Sequence, residues 1–119
     1  MPTFHHVNLG VPPGLADAQG EFLTEILGYR RMSVTPELEA LGALWYEADD
    51  GTQVHLSIDP EHQPAKRAHT AIEVGDDASA VEARLAAAGV ELKVTGLGAV
   101  RVMLCQDPAG NRWELRSPA

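Results

Sequence analysis

The sequence predicts an α+β protein of two tandem β-α-β-β-β modules, and three observations carry that prediction. His6-Val-Asn-Leu9-Gly-Val11 reappears 63 residues later as His69-Thr-Ala-Ile72-Glu-Val74, with His, then an apolar residue at +3 and Val at +5. An apolar stripe at helical spacing, closed by glycine, follows in each half. Gly51-Thr-Gln-Val-His55-Leu56 is then echoed 59 residues on by Gly110-Asn-Arg-Trp-Glu114-Leu115. A fixed offset between several unlike features is the signature of an internal repeat.

Each module opens on a strand whose residues alternate between two faces. In the first helix Phe22, Leu23, Ile26 and Leu27 form the stripe, ended by Gly28-Tyr29; in the second, Val81, Leu85 and Ala88 precede Gly89-Val90. Glycine there is suited to cap a helix C-terminus, and Ser79 with Glu82 has capping-box spacing at the start of the second helix. Strands are expected over 30–35, 43–48 and 52–58 after the first helix, and over 91–95, 100–105 and 112–116 after the second. "PELEALG", "GLG" and the Asp-Gly or Asp-Pro-Ala-Gly before each last strand read as turns. The modules are therefore 1–58 and 67–119, joined by the polar connector 59–66 with its two prolines.

Composition narrows the function. The chain has 119 residues, 45% apolar and 22% charged, as expected of a folded globular domain. A formal charge of −8 opposes binding to nucleic acid or anionic membranes. No apolar run approaches the roughly 20 residues that span a bilayer. Cys105 is the only cysteine, which excludes an internal disulfide and fits a reducing cytoplasm.

The repeated strands also carry the candidate chemistry. If Val7, Leu9 and Val11 face the helix, His6 faces away; the same alternation leaves His55 opposite Val54, Leu56 and Ile58, His69 opposite Thr70, Ile72 and Val74, and Glu114 opposite Trp113 and Leu115. Three imidazoles and a carboxylate suit a divalent transition metal such as Zn, Ni, Co, Mn or Fe, rather than Ca or Mg. Arg101, Met103 and Cys105 share one alternation and are candidates to line a substrate cavity, Arg101 against an anionic group. Only one of Trp45 and Tyr46 can face that cavity. Glu47 and Glu73 are candidates for a general base, His5 reads as an edge histidine facing away from His6's side, and His62 as solvent-facing.

Together, "HVNLGV", "LGYRRM", "HTAIEV" and "DPAGNRWEL", set in a double β-α-β-β-β frame, resemble the vicinal oxygen chelate superfamily over residues 3–116. That group holds the glyoxalases, methylmalonyl-CoA epimerases, fosfomycin-resistance enzymes, extradiol dioxygenases and bleomycin-resistance proteins. The resemblance implies a cupped mixed sheet, a metal held by His6, His55, His69 and Glu114, and a homodimer acting on a small molecule through chelated vicinal oxygens. In the glyoxalase I pattern the slot of His55 is a glutamate that also moves protons. A metal-bound imidazole is a poor substitute for that base, which counts against the glyoxalase I reaction itself. Two further readings are a drug-sequestering protein of the bleomycin-resistance type and a small Fe(II) ring-cleaving dioxygenase, whose recognised ligand set is two His and one carboxylate.

Overall fold

A computed structural model describes all residues, Met1–Ala119. It divides into two compact units, Met1–Gln63 and Pro64–Ala119, with the cut inside the proline-containing connector. Each holds one four-stranded mixed sheet.

In the first unit, β1 (His6–Val11) pairs in parallel with β4 (Gln53–Ile58), and β3 (Leu44–Glu47) runs antiparallel to β4 and to the two-residue β2 (Arg30–Arg31). Between β1 and β2 lies α1 (Ala16–Glu21), which runs into a π-helical turn over Phe22–Ile26. The wider turn keeps Phe22, Leu23 and Ile26 buried together. Gly28, at φ +85°, then reverses the chain, and the Tyr29 N–H bonds to the Leu23 carbonyl at 2.9 Å. Tyr46, Val54, Leu56 and Val11 supply the sheet's side of this core. Tyr46 reaches α1 so closely that a Cβ on Gly20 would collide with its hydroxyl.

Two expectations change here. The expected strand 30–35 keeps ladder pairing only at Arg30 and Arg31, and "PELEALG" is a short helix, α2 (Pro36–Ala40), rather than a turn. Thr35 caps it by accepting the Leu38 N–H, and Pro36 begins it, where a missing N–H costs nothing. Ile58, on the same alternation as the buried Val54 and Leu56, stands 54% exposed at the end of β4.

The second unit repeats the plan. β5 (His69–Glu73) is parallel to β8 (Arg112–Pro118), while β7 (Val100–Gln106) runs antiparallel to β8 and to the exposed edge strand β6 (Lys93–Leu97). A short 3₁₀ turn (Gly75–Asp77) leads into α3 (Ala78–Ala87), which buries Val81 and Leu85. Its C-terminus is the glycine cap the sequence suggests: Gly89 N–H bonds to Ala86 and Val90 N–H to Leu85. The capping box does not form, because Ser79 lies within the helix and the Glu82 carboxylate is held by Arg101 at 2.7 and 2.9 Å.

One buried carboxylate organises the entry to β8. Asp107, 5% exposed, accepts from the Ala109 and Asn111 amides and from the Trp113 indole N–H, all within 3.0 Å. Asp107→Ala removes the acceptor these three donors share, so a loss of about 3 kcal/mol is expected in urea unfolding. Asp50, the exposed counterpart in the first module, bonds only to Thr52, and Asp50→Ala is expected to cost less in the same assay. Burial, with Asp107 nearby, pushes the Cys105 thiol up to about 11. Cys105 is therefore expected to resist iodoacetamide at pH 8 in the native protein and to react fully once unfolded, as read by mass spectrometry.

Candidate functional site

The parallel strand pair of each module sets the geometry. Register places His6 beside Gln53 and Asn8 beside His55 in the first unit, and His69 beside Arg112 and Ala71 beside Glu114 in the second. His6 and His69 are thus equivalent positions, as are His55 and Glu114, each two residues along from its partner.

In the second module the pair converges. The His69 Nε2 lies 4.0 Å from Glu114 Oε1. Its Nδ1 is 3.0 Å from the Arg67 carbonyl, which only accepts, so Nδ1 carries a proton, and in the neutral ring that leaves the lone pair on Nε2. Fixing the tautomer through the other ring nitrogen is how a ligating histidine is oriented. A cation seated between these two donors needs about 2.1 Å to each, a span of up to about 4.2 Å. Arg116 donates to the other Glu114 oxygen at 3.0 Å and faces Glu73 at 3.5 Å.

In the first module the pair stacks. The His6 and His55 rings lie 3.9 Å apart at 16°, and Trp45 covers the other face of His55 at 4.3 Å and 8°. His55 is 8% exposed, and its Nε2 donates to Gln53 Oε1 at 2.8 Å. Burial, reinforced by His6 and His5, lowers its pKa and favours the neutral ring. His6 is exposed, and its Nδ1 lies 2.8 Å from Nδ1 of His5.

Several sequence expectations need correction. Met103 pairs with Leu115 and Cys105 with Trp113, while Glu114 pairs with Leu104. Arg101, Met103 and Cys105 therefore share the helix face rather than the face of Glu114: Arg101 salt-bridges Glu82 of α3 and Met103 is fully buried, neither lining the second-module cavity, whereas Cys105, 7% exposed, borders it as expected. Val102, buried, and Leu104 lie on the Glu114 side instead. Glu47 and Glu73, the candidate bases, each face an arginine, Arg30 at 4.0 Å and Arg116 at 3.5 Å. His62 is half-buried and packs over Gly10, where a Cβ would fall 2.6 Å from its ring. His5 does not turn away from His6; their rings meet edge to face at 5.1 Å.

An open cavity of about 910 Å³ in the second module is lined by His69 and Glu114 together with Lys66, Arg67, Lys93 and Arg112. These are four of the nine Lys and Arg in the chain, gathered around one depression of an acidic protein. Sequence reasoning missed them because they come from four separate places: the connector, the loop before β5, β6 and β8. Neither module by itself gathers three or more His, Cys, Asp or Glu side chains around a metal position. No helix is long and apolar enough to cross a membrane.

Comparison with known proteins agrees with this plan. A glyoxalase-like domain family matches residues 14–116. A glyoxalase family protein from Bacillus anthracis is 25% identical, with TM-score 0.86 over 100% of this chain and 97% of that one. A glyoxalase/dioxygenase from Nostoc punctiforme is 23% identical, with TM-score 0.82 over 98% and 91%. The fosfomycin resistance protein FosX from Listeria monocytogenes, solved with Mn(II) and sulfate, is 16% identical, with TM-score 0.77 over 100% and 92%. No curated protein sequence matches significantly. With two β-α-β-β-β-type modules in register and a family match over most of its length, the chain belongs to the glyoxalase-like domain family of the vicinal oxygen chelate superfamily.

Proposed function

We propose that this protein is a divalent-metal-dependent enzyme of lyase, isomerase or transferase type, in which His6, His69 and Glu114 bind the metal. The observation that carries the reading is the His69–Glu114 pair, 4.0 Å apart, with the far nitrogen of His69 tied to the Arg67 carbonyl. His6 occupies the equivalent strand position and engages His5 through Nδ1, so Nε2 is the nitrogen not used in that contact. Two imidazoles and a carboxylate suit Mn, Fe, Co, Ni or Zn, and FosX, similar in fold, was solved with Mn(II).

When bound, the metal supplies Lewis acidity to two adjacent oxygens of a small substrate. The chain's own part is orientation. Arg116 holds one Glu114 oxygen and leaves the other toward His69. Lys66, Arg67, Lys93 and Arg112 outnumber Glu91, Asp107 and Glu114 in the lining of the same depression and offer partners for an anionic substrate group. A complex of a FosX variant with 1S,2S-dihydroxypropylphosphonic acid offers a precedent for a small anion on this fold. We further propose a homodimer, as the resemblance to the superfamily implies.

The test is elemental analysis of native protein, purified without chelator or histidine tag, beside His69→Ala. The expected result is a single transition-metal ion per chain, lost in the variant. Protein that carries none, and takes up none from Ni, Co, Zn, Mn or Fe(II), removes the metal reading and leaves metal-free small-molecule sequestration in its place.

A further inference from the structure

The slot that repeats between modules is filled by a carboxylate in one and an imidazole in the other, and the two are held very differently. Glu114 turns an oxygen toward the His69 nitrogen. His55 turns its ring face toward the ring face of His6, and its second face is covered by Trp45. We infer that His55 is a positioning residue that orders the His6 ring, and not a fourth donor to the metal, with Trp45 as the wall behind it. The inference rests on the proposed reading of His6 as a ligand.

The geometry of imidazole coordination supports this. A ring nitrogen's lone pair lies in the ring plane, so two imidazoles on one ion aim their planes at a common point. The His6 and His55 planes are nearly parallel, 16° apart, and do not converge. An ion midway between them would stand up to about 2 Å off each plane, half the 3.9 Å ring separation, which is almost the whole of a bond of about 2.1 Å. The Nε2 of His55 is also engaged by Gln53, and little of the ring is exposed. His6, by contrast, is exposed and held on two sides: by the His55 face and by the His5 nitrogen at 2.8 Å. Supports of this kind fix a ligand's orientation, and their loss typically lowers metal affinity by about 10- to 100-fold.

Phenylalanine keeps a planar ring and carries no nitrogen, so His55→Phe separates the two roles where His55→Ala removes both. Each variant is compared with wild type by chelator competition for Co(II), by the Co(II) visible spectrum, and by NMR of the His6 ring protons in metal-free protein. Thermal unfolding of each variant checks that it is folded. The expected result is that His55→Phe keeps the wild-type stoichiometry, spectrum and upfield ring-current shift of His6. In His55→Ala the shift collapses and affinity falls at least about tenfold. Loss of metal by His55→Phe as complete as that of His69→Ala overturns the inference, as does a changed Co(II) spectrum. His6 signals identical in wild type and His55→Ala overturn it independently of any metal. Wild-type protein that binds no Co(II) defeats the proposed function instead, and the ring-current comparison still decides whether His55 orders His6.

Discussion

Parallel pairing of the first and last strands of each module is the constraint on which the rest depends. Pairing in parallel requires a long crossover connection, and here each crossover carries a helix and the two remaining strands. The intervening chain is free to vary: 49 residues separate His6 from His55, and 45 separate His69 from Glu114. Register does not vary with it, since both pairs sit two positions apart across the same kind of ladder. The π-helical turn and α2 occur only in the first module, so the two crossovers differ in structure while the positions of the paired slots are preserved.

The modular plan and the faces of His6, His55, His69 and Glu114 were legible because period-two alternation and a repeated offset are properties of sequence alone. Alternation fails where both faces of a strand are apolar. In β7, Val102 and Leu104 are as hydrophobic as Met103 and Cys105, and only the pairing with Trp113 and Leu115 identifies the helix side. Trp45 and Tyr46 posed the same question, and it is Tyr46 that joins the core. Side-chain rotation was equally hidden. His62 comes from a polar connector yet folds over Gly10, and the spacing of Ser79 and Glu82 could not reveal that Arg101 claims the carboxylate. Thr35-Pro36 was a readable helix start, but a helix of five residues leaves too short a pattern to outweigh its terminal glycine.

Charge is distributed against the average. The chain is acidic overall, yet lysines and arginines surround His69 and Glu114. Distant charges are screened within about 10 Å at ordinary ionic strength, so a small ligand meets the local groups, these four cations together with Glu91, Asp107 and Glu114, rather than the net charge of the chain. Arg116 lies between Glu73 and Glu114 on the same sheet face. Its guanidinium moderates the repulsion between two carboxylates that would otherwise face each other across the paired strands.

The chain has two tryptophans, one in each module. Trp113 is 1% exposed and anchored through its indole N–H to Asp107, on the helix side of its sheet. Trp45 lies flat against the His55 imidazole on the opposite kind of face. One indole is buried beside the second-module cavity and the other sits at the end of a ring column leading to His6. The protein therefore carries its own pair of optical probes, one per module: Trp113 beside the second-module cavity, and Trp45 as a fluorophore whose emission follows the rings beside the first-module slot.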